Sequence, residues 1–400
     1  MAIAEAGRRR AANAPSVWAW LHRREGRQVL GQIIIVVLLG WFFWTAASNA
    51  IANLQRQNIA SGFGFWGITS GFDISQSLIP YGATSTYGRA FWVGLLNTLL
   101  VSAVGIVFAT IVGFVMGIAR LSSNWLIARL ATVYVEVARN VPLLLQLFVW
   151  YFALLPQLPP PRQSWSLPGG AILNNRGLSL PSPVLQQDAA GALGPLAIGI
   201  AAAVLLRIWA RRRWRLTGRQ FPVLWASLAL IVGVPLLAAV AIGLPVTFEF
   251  PELRGFNYSG GFVVLPEFIA LLAGLVFYTG AFIAEIVRSG IQGVSTGQKE
   301  AARALGLTNN QTLRLVVIPQ AMRIIIPPLT SNYLNLTKNS SLGVAIAYPD
   351  LVSVFAGTVL NQTGQAIEVI SITMLVYLTL SLATSAFMNW FNARVKLVER

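Results

Sequence analysis

The 400 residues carry 56% hydrophobic side chains and only 10% charged ones, whereas soluble chains run at about 25% charged; this excludes a water-soluble globule and makes lipid the solvent for most of the chain. A formal net charge of +16 does not indicate nucleic acid, because the arginines stand in short blocks between apolar runs and offer no continuous basic face to follow phosphates. With no cysteine and one histidine, His22 in the basic N-terminal tail, the sequence offers no catalytic residues of the thiolate or histidine type and no metal site.

In chain order, the first apolar run is Val29–Ala47, about 28 Å long as a helix and matched to the hydrocarbon thickness of a bilayer. Arg8, Arg9, Arg10, Arg23, Arg24 and Arg27 precede it. That basic region and apolar core are longer than a cleaved leader needs, so a retained start helix is expected. Further runs lie at 91–119, 140–157, 191–209, 221–245, 263–285, 324–346 and 368–390. The 324–346 run is the weakest, since it holds Pro327, Pro328, Asn332, Asn335 and Lys338. The expectation is an all-α membrane protein with eight transmembrane helices and both the N- and C-termini cytoplasmic.

Charge placement tests that topology, because cytoplasmic loops are enriched in Lys and Arg. With the N-terminus inside, 23 Lys and Arg fall on the inner side and five on the outer side (Arg56, Arg89, Arg162, Arg176, Arg254), with Lys338 inside a span. The chain then divides into a cytoplasmic tail (1–28), a first span with its external loop (29–90), a first core part (91–157), an external loop with an inserted helical hairpin (158–262), a second core part (263–392) and a short cytoplasmic tail (393–400). The outer loops 49–90 and 156–190, rich in Gly, Pro, Ser and Asn, read as ordered caps too short to be domains. Residues 191–245 read as two helices joined through Arg211, Arg212, Arg213 and Arg215. No internal repeat is visible, which weakens an inverted-repeat architecture.

The inner loop 288–319 holds the most specific pattern. Gly290 and Gly293 are expected to loosen the chain after the sixth span. Ser295 or Thr296 can cap a short helix through Gly297–Leu305, and Gly306 supplies a left-handed stop. Thr308 and Gln311 form a capping box for a second helix, expected to run to Ile318 where Pro319 interrupts it. Two short helices of this size do not fold alone. They suit either projection into a groove of a partner protein or an ordinary interfacial loop.

This loop resembles the EAA loop of ABC importer permeases. Glu300-Ala301-Ala302, Gly306 and then Val316, Val317, Ile318 and Pro319 stand in register with that pattern, with Val316 and Ile318 in place of the commoner Ile and Leu. Gly94–Leu100, Glu136–Gln146 with its Asn140-Val141-Pro142 core, and Lys338-Asn339-Ser340-Ser341-Leu342-Gly343 are similar to the polar-amino-acid branch, and the likeness covers roughly 86–157 and 263–392. The extra helices and long outer loops resemble the larger permease subunits of general L-amino-acid importers.

The resemblance implies a type I ABC importer permease fold in a bacterial inner membrane, with alternating access to an amino-acid substrate. It implies partners: an ABC ATPase dimer that holds ATP and Mg, a second permease subunit in a heterodimer or a homodimer, an external solute-binding protein, and membrane lipid. Glu300, Ala301, Ala302, Arg303, Gly306 and Pro319 would then couple to the ATPase. This chain has no G-x-x-x-x-G-K-[ST] run, so it has no P-loop with which to cradle nucleotide and would be neither an enzyme nor a cofactor-binding subunit.

Single residues retain alternatives. Glu300 and Arg303 suit docking to charged groups or an exposed ion pair. Lys338, costly inside a span, either meets a substrate carboxylate along a water-filled pathway with Asn335 and Asn339, snorkels, or pairs with Asp350 or a carbonyl. Glu136 with Arg139, and Glu285 with Arg288, stand at helical pairing distance. Gly105, Ala109, Gly113 and Gly117 form a small-residue ridge for close helix packing. The alternative function is an ion-coupled secondary transporter, which would call for repeats and several buried carboxylates. Here most acids near the membrane, Glu136, Glu267, Glu285 and Glu368, lie near span ends.

Overall fold

The computed structural model describes residues 24–56, 61–185, 189–218, 221–242 and 246–395; the basic tail with His22 and the last residues lie outside them. The first helix, α1 (Arg24–Arg56), covers the expected start span, and Ile33 to Phe43 leave most of their large apolar side chains exposed.

Helix α2 (Tyr87–Ala119) starts on Thr86, whose side chain accepts from the Arg89 N–H. Its small-residue ridge faces α7 (Pro266–Gln292). A Cβ at Gly117 would stand 2.7 Å from the Ala284 carbonyl oxygen, and one at Gly113 would overlap Ile283. The ridge serves packing within the chain, and it lets the two backbones approach more closely than larger residues allow.

The next expected span, 140–157, is one arm of a broken pair. Helix α3 (Trp125–Asn140) and α4 (Leu143–Gln157) meet at 108°. Residues 125–140, between two of the expected spans, form a helix that Asn124 caps by accepting from the Leu126 and Ile127 N–H groups. The bend falls where Pro142 forces Val141 out of the helical region (φ −94°, ψ 127°), as the residue before a proline prefers.

Outside the helical body lies a small β-cap. Strands β1 (Trp165–Leu167), β2 (Ala171–Asn174) and β3 (Gly177–Leu180) form an antiparallel sheet completed by β8 (Phe262–Val264). β4 (Ser182–Leu185) pairs with β5 (Val246–Glu249), and β6 (Glu252–Arg254) with β7 (Asn257–Ser259). The inserted hairpin, α5 (Ala189–Thr217) and α6 (Val223–Ile242), emerges between β4 and β5. Because those two strands are paired, the hairpin leaves and returns at the same place.

The core gathers around α7, where Leu271, Leu275, Ile283 and Val287 pack with Leu147, Ile325 and Leu336. The inner loop holds α8 (Thr296–Ala304) and α9 (Asn309–Thr312); after it come α10 (Ile318–Asn339), a turn to Ile346, a short helix ending in α11 (Leu360–Thr363), and α12 (Ala366–Val395). Among the described residues six helices are long and apolar enough to cross a membrane, or seven if the bent pair counts as one span. The fifth expected run, 221–245, is helical over Val223–Ile242, but its apolar stretch, Val223–Ala238, is shorter than those six.

Candidate functional site

The inner loop folds by local rules. Ser295 takes the N-cap position of α8 without a side-chain cap bond. At the other end, the Leu307 N–H reaches back to the Ala302 carbonyl at 3.2 Å and the Gly306 N–H to that of Arg303 at 2.9 Å. This pair of bonds is a Schellman motif, and it needs Gly306 at φ +76°. Nothing lies within 4 Å of where a Gly306 Cβ would stand, so the requirement for glycine is conformational and not steric.

Thr308 then opens α9 with the expected capping box: its hydroxyl accepts from the Gln311 N–H, and the Gln311 side chain accepts from the Thr308 N–H at 2.9 Å. Two expectations change here. The second helix does not stop at Pro319; a wide turn at Leu313–Val317 carries it into α10, where Pro319 occupies the first turn. The wide turn leaves room for the proline ring, which in a regular helix interior would clash with the carbonyl one turn back. Gly290 does not loosen the chain either. It lies within α7, and a Cβ there would overlap Ile325 of α10.

Of the loop residues singled out from sequence, Ala302 is buried, while Glu300, Ala301, Arg303, Gly306 and Pro319 are exposed. Glu300 and Arg303 form no ion pair with each other among the described residues; the Arg303 guanidinium instead reaches Asn309 at 3.4 Å. Leu305 is 81% exposed and Leu315 62%. Leu313, Leu315 and Ile318 line a concavity of about 600 Å3 with Asn310, Gln311 and Arg314. These uncovered leucines escaped the sequence reading; the signal was Leu305 immediately before the helix-stopping glycine.

Above the loop an ionic cluster ties three elements together. Glu285 of α7 bonds to Arg120 at the end of α2 and to Arg288 one turn on, and Arg139 at the end of α3 stands 3.9 Å away. The pairing of Glu285 with Arg288 follows the spacing. The expected pairing of Glu136 with Arg139 is absent from the ion pairs of the described residues, because Arg139 turns to Glu285 and stacks over Phe282 at 5.2 Å. The cluster also puts Arg120, Arg139 and Arg288 at one level, beside the inner loop.

The polar residues of α10 separate onto two faces. Asn335 and Asn339, with Asn332, face Tyr278, Thr279 and Phe282 of α7 across a pocket of about 230 Å3. Lys338 is exposed and lines a different pocket, of about 340 Å3, with Tyr377 and Ser381 of α12. It makes no ion pair with Asp350 among the described residues. Asp350 is fully buried and accepts from the Ser353 N–H at 2.7 Å. The 332, 335, 339 period was the available sign that Asn332 belongs with the other two.

Comparison with known proteins bears on the whole of this arrangement. A family model described as "Binding-protein-dependent transport system inner membrane component" matches residues 105–397, a range that includes α3, α4, α7 and the capped loop. The chain is 55% identical over 374 residues to the general L-amino acid transport system permease protein AapQ of Rhizobium johnstonii, covering 94% of this chain and 93% of that one. It is 52% identical to the putative amino-acid ABC transporter permease protein YhdX of Escherichia coli, over 96% of both chains. It is 41% identical to the glutamate/glutamine/aspartate/asparagine transport system permease protein BztB of Rhodobacter capsulatus, over 94% of this chain and 95% of that one. Since the family match runs through the Schellman-capped loop and the likeness to these relatives extends over nearly their full lengths, the chain belongs to the family of binding-protein-dependent transport system inner membrane components.

Proposed function

We propose that this chain carries amino acids across the bacterial inner membrane by alternating access, as one permease subunit of an ATP-driven importer. It works with an ABC ATPase dimer, a second permease subunit in a heterodimer, and an external solute-binding protein. As a member of its family the chain is the membrane subunit and not the ATPase. The amino-acid substrate rests on the printed functions of relatives that match it end to end.

The observation that carries the reading is the inner loop. Its two helices are fixed in angle by the Gly306 stop and the Thr308 capping box, yet Leu305 and Leu315 are left uncovered. A rigid element that displays large apolar side chains outside the helical body suits a groove on a partner. Glu300, Ala301, Ala302, Arg303, Gly306 and Pro319 belong to this coupling element. Motion of the ATPase dimer would reach the spans directly, because α9 runs into α10 through the wide turn, and the side chains of Gln298 and Gln320 join α8 to α10 at 3.2 Å.

Within the spans, the asparagine-lined pocket between α7 and α10 is the better-formed pathway element: Asn335 and Asn339 line it, and Lys338 serves the neighbouring face. Both termini are assigned to the cytoplasm, with eight crossings. The pairing of β4 with β5 favours the eighth, because a hairpin that starts and ends at one place crosses twice or not at all. The 20 residues of α6 reach about 30 Å.

Reconstitution tests this reading. With all partner subunits in liposomes, uptake of labelled amino acids should begin on addition of ATP and stop in Gly306→Val, while that variant still inserts. Uptake on an ion gradient by this chain without the ATPase would overturn it.

A further inference from the structure

The inserted hairpin is not used by the coupling loop or by the asparagine pocket, and its tip has distinctive chemistry. No Asp or Glu occurs from 189 to 248, while Arg207, Arg211, Arg212, Arg213 and Arg215 crowd the last turns of α5. Among the described residues none of these five enters a salt bridge. Arg207, Arg211 and Arg215 recur every four residues and so share one helix face.

Aromatic rings interleave with these charges. Arg213 lies over Trp209 at 5.2 Å, and Trp209 meets Phe221 edge-on at 5.4 Å. Arg211 and Trp214, with Ala210, Phe221 and Val223, line a concavity of about 220 Å3 between the two helices. Below the tip the hairpin is apolar on its outside: Ile198, Leu205, Leu224 and Leu237 are each more than 60% exposed. Its closest packing is internal, with Gly199 against the Leu230 carbonyl.

An apolar shaft ending in indole rings and guanidinium groups that form no salt bridge among the described residues matches the profile of a bilayer from acyl chains to headgroups. Basic pockets between helices on the inner side are suited to anionic headgroups, and the planar guanidinium binds phosphate oxygens in pairs. We propose that Arg207, Arg211 and Arg215, with Trp214 and the adjoining concavity, form a binding site for the phosphodiester headgroup of an anionic phospholipid. The partner is lipid and not protein because the charges continue the exposed apolar surface of a helix long and apolar enough to cross a membrane. The site would hold the inserted hairpin at a fixed depth.

The test uses the complete transporter in nanodiscs containing phosphatidylglycerol and phosphatidylcholine. After exchange into mild detergent, native mass spectrometry counts retained lipid, and a photoactivatable phosphatidylglycerol maps its contacts. Retained phosphatidylglycerol and a label at 207–223 are expected. Each arginine near a charged surface contributes about 1 kcal/mol, so replacing Arg207, Arg211 and Arg215 by Gln should weaken retention on the order of a hundredfold. The corresponding lysine variants should keep the preference for anionic lipid.

Equal retention of phosphatidylcholine, displacement by millimolar inorganic phosphate, or a lipid label that falls on other segments and not at 207–223 would each overturn the proposal. Should the glutamine variant fail to assemble, the position of the label on the unmodified protein decides. These outcomes are separate from transport, since a lipid-free tip is compatible with ATP-driven uptake.

Discussion

Glu285 of α7 bonds directly to Arg120 at the end of α2, across 165 positions of sequence. With Arg288 and Arg139 around the same carboxylate, one acid restrains three elements beside the inner loop. The side chains of Glu285 and Arg120 are 26% and 14% exposed, so the bond is only partly screened by water. The carboxylate is therefore a fixed point where α2, α3 and α7 converge.

Removing that point should loosen all three. Glu285→Gln leaves three guanidinium groups without their shared counter-charge. It should lower the stability of the detergent-solubilised complex by about 2 kcal/mol, in the range of charged hydrogen bonds. In a double-mutant cycle of Glu285→Gln with Arg120→Gln, read by thermal unfolding, the double variant should lose less than the sum of the two single losses. Strict additivity of the single changes would show that the bond carries no coupling.

Gly306 should be sensitive to conformation and not to size. Because space is open around it while φ is +76°, Gly306→Asn should keep most ATP-dependent uptake. Gly306→Ala and Gly306→Val should each strain the loop, by about 1–2 kcal/mol for the alanine and more for the branched side chain. Equal activity of Asn and Val variants would remove the left-handed stop from the mechanism.

The capping box gives a smaller effect. Thr308→Ala should cost about 1 kcal/mol of helix stability and speed amide exchange over 309–317 about fivefold, while Thr308→Ser changes little. Hydrogen-exchange mass spectrometry on the assembled complex checks both.

Close packing of α2 on α7 predicts a contrast between glycines. Gly113→Ala overlaps Ile283 and should destabilise the protein by about 1–3 kcal/mol, whereas Gly40→Ala in α1, with nothing within 4 Å, should stabilise it by up to about 1 kcal/mol. Thermal unfolding of the two variants separates packing from a general glycine effect.

Much of this was legible in the sequence where a rule acts locally. The Gly306 stop, the Thr308–Gln311 box and the small-residue ridge each depend on residues a few positions apart. Helix α3 was hidden because Arg129, Glu136 and Arg139 interrupt its apolar pattern, and the hydropathy run began only at 140. The β-cap was hidden because its strands hold three or four residues and β3 finds β8 across the whole hairpin. Arg139 was misassigned for the same reason: the local partner, Glu136, was visible, and the distant one, Glu285, was not. The pocket opposite Asn335 and Asn339 depends on Tyr278 and Phe282, which no motif links to them.

The most direct test places a photo-crosslinker on the coupling loop. The chain has no cysteine, so Leu305→Cys gives a single labelling site on this subunit. In the reconstituted importer, light should join position 305 to the ATPase subunit. The yield should change between the nucleotide-free and ATP-trapped states, while a label at Gly40→Cys in α1 should not reach that subunit. Crosslinks from 305 only to lipid or to this chain itself, in complexes that still take up substrate with ATP, would contradict coupling through this loop.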